Sequence, residues 1–289
     1  MKNKELPEFD LNTTPKIYYN KKAESYNSTH MQKVQPEILS YIFERLLKQN
    51  NFEQCVALDI GIGTNIYQEV YRSNKIHYVG LDISINMLKE SEADDNCVSK
   101  ILCSNTLPFK PGCFDLILSV SAFHYVISDL LEKGEKFLMD YFDKILQILR
   151  KKGTLIFQFY LKDKKNIETL TEILKYLKVN FLIFASNLKA NLSKNQKNQN
   201  VLENRNIKEI EFNKNKKLFL VLWVDNRKME DVIDFKNNEI EIIAGLKNSK
   251  NRDSKKRETV KEKILRIKDK RRKKNIEVPK NSKYSGRRR

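Results

Sequence analysis

Asp59-Ile60-Gly61-Ile62-Gly63 sets an acid and two glycines, one residue apart, at the end of the apolar run Val56-Ala57-Leu58. A buried strand that stops in an acid and breaks into glycines can turn tightly into a helix and present bare backbone to a ligand. A second apolar run, Tyr78-Val79-Gly80-Leu81-Asp82, ends in another acid twenty-three residues after the first. Two neighbouring parallel strands ending in acids beside a glycine turn form a pocket for a nucleoside.

Three ligands compete for such a turn. A dinucleotide fingerprint needs Gly or Ala three positions after the second glycine, where this chain has Ile66. A phosphate loop needs Gly-Lys-Ser/Thr, which the sequence lacks. S-adenosylmethionine carries no phosphate, an ammonium group and a ribose with two free hydroxyls. Asp59 is placed to hold the ammonium, directly or through water, Asp82 to accept from the ribose diol, and Ile83 to pack on adenine. The plain alternative is a glycine turn that binds nothing.

Phe123, His124 and Tyr125 follow one predicted strand and Tyr160 ends the next, so these side chains can form walls for a planar substrate. Core packing is the competing reading for each of them. No His/Asp pair or paired carboxylates suggest general acid-base chemistry. Cys55, Cys97, Cys103 and Cys113 form no C-x-x-C pair, and His30, His77 and His124 are scattered, so neither a zinc site nor a disulfide framework is expected.

The elements that position these residues are legible from periodicity. Strands are predicted at 54–60, 76–82, 98–103, 113–120 and 154–160, with helices from Pro36, over 65–71, 84–90 and 135–150. Short connections between alternating strands and helices mean a mostly parallel sheet with helices on both faces. A further helix over 166–177, an apolar run at 181–184 and a strand at 217–224 complete seven strands. Residues 15–20 are aromatic-rich and fall in no clear element, so they either pack on the domain or cover the pocket. Residues 186–206 are Asn/Lys/Gln-rich and read as an insertion, residues 1–14 as a mobile terminus, and 226–257 as a charged linker with a helix near Ile240.

Of the net charge of +18, residues 246–289 carry +15, from 20 Lys/Arg against 5 Asp/Glu. A near-neutral domain followed by a strongly basic tail suits a polyanion, and the tail's cations grip phosphates without reading bases. Lys270, Arg271, Arg272, Lys273, Lys274, Arg287, Arg288 and Arg289 are its densest clusters, and 268–274 also reads as a nuclear import signal. No apolar run approaches membrane-spanning length, and the N-terminus has no apolar signal core, so no membrane partner is expected.

Asp59-Ile60-Gly61-Ile62-Gly63, Gly80-Leu81-Asp82-Ile83-Ser84, Leu107-Pro108-Phe109 and Phe114-Asp115-Leu116 resemble class I methyltransferase motifs. Residues 15–20, Ser119 to Tyr125, Gln158 to Tyr160, Ile264 to Arg266 and Asn281 to Arg289 narrow the resemblance to the eukaryotic 18S rRNA (guanine-N7) methyltransferases. The resemblance implies a Rossmann-like α/β fold and N7-methylation of a guanine in small-subunit rRNA during ribosome biogenesis, in the nucleus or nucleolus and also the cytoplasm. It adds Gly61, Ile62, Gly63 and Ser119 to the cofactor site, and Cys103 and Ser104 through their backbone at the adenine edge. It also implies a small zinc-binding activator subunit as partner. The chain departs from the family at Ile62, Asn65 and Cys103, where a Cys, a small residue and an acid are usual. These departures keep two other readings open: an assembly factor that has lost catalysis, and a methyltransferase for another substrate.

Overall fold

The computed structural model describes residues 14–27, 31–47, 54–91, 94–102, 107–160, 164–186, 217–234, 240–245 and Lys268. The chain divides into two compact units, Met1–Lys247 and Asn248–Arg289, and in the second only Lys268 is described.

The first unit is built on a single sheet. Its strands are β1 (Val56–Ile60), β2 (His77–Asp82), β3 (Cys97–Leu102), β4 (Phe114–Val120), β5 (Leu149–Phe159), β6 (Asn180–Ser186), β7 (Lys217–Trp223) and β8 (Ile240–Gly245), ordered 3-2-1-4-5-7-6-8. β1 to β5 pair in parallel, whereas β7 is antiparallel to both β5 and β6. This is the class I methyltransferase order of seven strands, carrying an eighth. That edge strand, β8, pairs antiparallel with β6 through Ile240 to Gly245. It lies in the stretch expected to be linker and helix. Ile240, Ile242 and Ile243 contribute apolar side chains that the charged surroundings hid from composition.

The central strands are apolar throughout because both faces are covered. On one face Leu58, Ile117 and Phe157 pack with α5 (Phe123–Lys133) and α6 (Glu135–Ile148). On the other, Ala57, Leu116 and Leu118 meet α2 (Met31–Tyr41) and α3 (Gln68–Ser73). Pro36 lies inside α2 and does not start it. The helix continues as a π-turn over Ile42–Leu46, closed by Leu47 N–H donating to the Ile42 carbonyl at 3.0 Å. α7 (Lys164–Leu177) precedes β6, and a short α8 (Met229–Val232) follows β7.

Two boundaries differ from expectation for visible reasons. α6 ends at Ile148, and residues 149–153, expected as its basic C-terminus, form the start of β5. Register slips there from Phe114↔Leu149 to Leu116↔Thr154, so Arg150, Lys151 and Lys152 stand exposed on a bulge. The aromatic segment at the N-terminus is α1 (Pro15–Tyr26), with the proline in its first turn. Ala23 is its one buried residue, so α1 shows no apolar stripe for sequence reading to find. No helix among the described residues is long and apolar enough to cross a membrane.

Candidate cofactor cradle and aromatic wall

The cradle forms where β1 and β2 end. Gly61 and Gly63 have φ of +84° and +61°, and Asn65 has φ of +58°, so the turn takes three left-handed residues. Asn is among the residues that tolerate this, so the departure at Asn65 leaves the backbone path intact. Its Nδ2 donates to Tyr78 Oη at 2.6 Å. A Cβ at Gly61 would lie 2.3 Å from Ala122 Cβ, so this glycine is demanded by the residue that leads into α5 as much as by a ligand. Gly61 and Ile62 N–H both donate to the Leu81 carbonyl, at 2.7 and 3.0 Å, clamping the two strand ends together.

Asp82 accepts at both oxygens: Gly63 N–H on Oδ2 and Ser84 N–H on Oδ1, each at 2.8 Å. Two anchored oxygens with lone pairs to spare suit a diol. Burial raises the Asp82 pKa, opposed by the backbone donors of Ser84, Gly63 and Ile83. Asp59 is fully buried, and its Oδ2 accepts from Tyr67 and Tyr71 at 2.9 and 2.8 Å while Oδ1 has no partner. Burial pushes its carboxyl up to about 7, against the two tyrosine hydrogen bonds. An orphaned buried carboxylate oxygen beside a left-handed glycine turn is the observation an ammonium group fits.

Several expected cofactor residues serve differently. The Ile62 side chain turns into the core and lies over Gly80, where a Cβ would come within 2.5 Å of its Cδ1, so only its backbone belongs to the turn. Ser119 is fully buried and gives its hydroxyl to the Ile60 carbonyl at 2.8 Å, tying β4 to β1. Ile83 is half-buried next to Asp82. Cys103, Ser104, residues 187–216 and the tail clusters 270–274 and 287–289 lie outside the described residues.

The wall stands where β4 and β5 end. Phe123, expected in the wall, is instead core: it is buried among Phe142, Phe157 and Phe159, with centroids 4.2–5.9 Å away. His124 and Tyr125 face the other way, 3.9 Å apart, and Tyr160 meets His124 edge-on at 5.6 Å. Burial lowers the His124 pKa to about 4, so the ring is neutral, and its Nδ1 is shielded and has no partner. Lys217 Nζ donates to Tyr160 Oη at 3.0 Å. Ser121, with φ of +59°, turns the chain out of β4 and donates to Gln158 Oε1 at 2.7 Å. Such strain is held at strand ends that aim functional side chains.

α1 joins the two halves. Ser84 Oγ donates to Asn20 Oδ1 at 2.6 Å and Asn86 Nδ2 to the Asn20 carbonyl at 3.0 Å. Thr64 Oγ1 bonds Asn27 Oδ1 at the other turn. Tyr19 shares a 3.0 Å hydrogen bond with Tyr125 and packs edge-on against it. These contacts pack the segment on the domain along the rim of the cradle. Sequence reading missed Tyr19, Asn20 and Asn27 for want of a helical stripe, although Tyr67 and Tyr71 show a legible i, i+4 spacing after the glycines. A cavity lined by Gln54, Cys55, Asp115, Arg150 and Arg227 opens at the opposite, amino-terminal end of the strands. Arg150 there pairs with Asp115, and Arg227 with Asp225. It has no part in the cradle.

The strand order, the acid at each strand end and the glycine turn are those of the class I S-adenosylmethionine-dependent methyltransferase fold. Residues 58–157 match the model described as a methyltransferase domain. Residues 214–289 match the model described as a methyltransferase involved in Williams-Beuren syndrome. The curated relatives it resembles include 18S rRNA (guanine-N7)-methyltransferases. It is 31% identical over 172 residues to the 18S rRNA (guanine-N7)-methyltransferase of Bos taurus, an alignment spanning 56% of this chain and 59% of that one. It is 26% identical to bud23 of Schizosaccharomyces pombe across 95% of both chains. A solved methyltransferase in complex with the Haloferax volcanii Trm112 methyltransferase activator is similar over 72% of this chain and 98% of that one, at 14% identity and TM-score 0.47.

Proposed function

We propose that this protein methylates N7 of a guanine in small-subunit (18S-type) rRNA during ribosome biogenesis. The observation that carries the reading is the aromatic wall of His124, Tyr125 and Tyr160, which stands beside the Asp59–Asp82 cradle and contains no His/carboxylate pair. Guanine N7 presents an in-plane lone pair and no proton, so no base is needed to expose the nucleophile. Bound at the cradle, S-adenosylmethionine supplies an electrophilic methyl carbon on a sulfonium. What remains for the protein is alignment and exclusion of water. Asp59, Gly61, Gly63, Asp82 and Ile83 hold the cofactor, with Ile62 and Ser119 shaping the turn from behind and Cys103 and Ser104 at the adenine edge. His124, Tyr125 and Tyr160 stack on the base, each such contact contributing about 1–3 kcal/mol. A neutral His124 adds no positive charge near the sulfonium.

The family resemblance supports a small zinc-binding activator as partner, and the basic tail supports a hold on pre-rRNA and location in the nucleus and nucleolus. The left-handed Asn65 favours a working turn over the reading in which catalysis has been lost. The test is transfer of labelled methyl from S-adenosylmethionine to small-subunit precursor rRNA by the activator-bound chain. Label recovered as N7-methylguanine is expected; label on protein or on another RNA atom overturns the proposal.

A further inference from the structure

Tyr67 leads into α3 and Tyr71 lies on it, four residues on. Their hydroxyls donate to the same oxygen of Asp59, Oδ2, at 2.9 and 2.8 Å. Asp59 and Tyr71 are entirely buried and Tyr67 nearly so, and Oδ1 of the same carboxylate has no partner. A carboxylate doubly satisfied at one oxygen and bare at the other is an unfavourable arrangement in a dry interior. The packing holds it in place. Tyr71 stacks on Tyr78 at 4.1 Å and meets Phe43 edge-on at 6.0 Å; Tyr67 meets Tyr71 edge-on at 6.0 Å. Tyr78 Oη in turn accepts from Asn65 Nδ2 at 2.6 Å and donates to Asp94 Oδ2 at 2.5 Å. Three stacked or crossed tyrosines therefore run from the acid to the left-handed turn.

We propose that Tyr67 and Tyr71 are positioning residues for the cofactor, fixing the Asp59 carboxylate so that Oδ1 is the one acceptor left for the ammonium group of S-adenosylmethionine. The inference rests on the assignment of that cofactor to this turn. The hydroxyls act in two ways. They set the direction of Oδ1, because both hold Oδ2 from the α3 side. They also favour the charged carboxylate, since hydrogen bonds to an ionised acid stabilise it.

The second effect separates positioning from mere packing. The titratable groups facing Asp59 are Tyr67 and Tyr71 from the turn and α3, and Asp82 from β2, whose charge opposes ionisation. Burial outweighs the tyrosines and holds Asp59 near 7, so affinity for an ammonium ligand rises with pH through neutrality. Removing either hydroxyl moves that rise to higher pH. A side chain that only filled space would move stability and leave the midpoint where it was.

The experiment is a calorimetric titration of the full chain with S-adenosylhomocysteine, which has the same amino-acid group, from pH 6 to pH 9. Tyr67→Phe and Tyr71→Phe keep the rings and lose only the hydroxyls. Each is expected to bind about fivefold more weakly than wild type at pH 7, the effect there of a one-unit displacement of the profile, and to recover towards wild type at pH 9. Asp59→Asn is expected to bind weakly with a flat profile. Phe variants with wild-type affinity at pH 7, or an equal loss at every pH, overturn the proposal. So does a neutral-pH rise that survives in Asp59→Asn. A wild-type chain that binds no ligand at any pH overturns the cofactor assignment itself, and the proposal with it.

Discussion

At the residue scale, burial changes what each acid of the cradle can do. Asp82 spends both oxygens on backbone N–H groups and keeps lone pairs for a diol. Asp82→Ala removes the clasp on the Gly63 turn and the ribose acceptors together, and should weaken S-adenosylhomocysteine binding at least about a hundredfold, measured by calorimetry. Asp59 works against the fold. Its carboxyl, raised from 3.8 to about 7 by burial, favours the protonated form in the folded chain. The unliganded fold therefore loses stability from this group as pH rises from about 4 to about 7, by an amount on the order of a few kcal/mol. Ligand binding needs the opposite form. Thermal melts should show Asp59→Asn stabilising the free protein at pH 8, while the ligand-induced rise in Tm seen for wild type at pH 8 shrinks in the variant. His124 has the reverse sign: with its pKa lowered to about 4 it resists protonation, so stability falls as pH drops from about 6.5 towards 4. His124→Phe should keep the fold and change methyl transfer to RNA without changing cofactor affinity, a separation that binding and transfer assays on one preparation resolve.

At the scale of elements, α1 is the part that ties the strand ends together. Asn20 reaches the β2 end, Asn27 the glycine turn and Tyr19 the aromatic wall. Asn20→Ala loses the side-chain hydrogen bond from Ser84 across that seam and keeps the one its backbone carbonyl accepts from Asn86, and should speed ligand dissociation several-fold, read by stopped-flow fluorescence, with a small loss of stability of about 1 kcal/mol. The glycine turn and its two acids were legible because bare backbone and a strand-ending carboxylate leave a mark in residue type. β1, β2, β4 and β7 were legible because strands covered on both faces are apolar throughout. α1 was not, since it buries Ala23 alone and leaves Ile17 exposed. β8 was not, because an edge strand needs only one apolar face and Ile240 to Gly245 sits among charges. Phe123 looked like a wall residue from its position after β4; the helix that begins there turns it inward onto Phe157, while its neighbours His124 and Tyr125 pack on each other and on Tyr160 and Tyr19. A one-residue difference in direction is beyond any reading of composition.

At the scale of the whole molecule, the charge is segregated: residues 246–289 hold nearly all of the net +18. On the proposed function this tail gives salt-dependent, sequence-independent affinity for RNA, and the cradle gives the chemistry. Deleting residues 258–289 should flatten the dependence of RNA affinity on salt, by about one unit of log-log slope for each phosphate the tail would otherwise neutralise. Cofactor affinity should not change. The central claim is that this cradle and wall serve guanine N7 in small-subunit rRNA. The most direct measurement is mapping of N7-methylguanine in that rRNA from cells whose only copy of the protein is wild type or Asp82→Ala. The modification should be present with wild type and absent with the variant at equal protein level. Its persistence with Asp82→Ala, or in cells lacking the protein, would contradict the account.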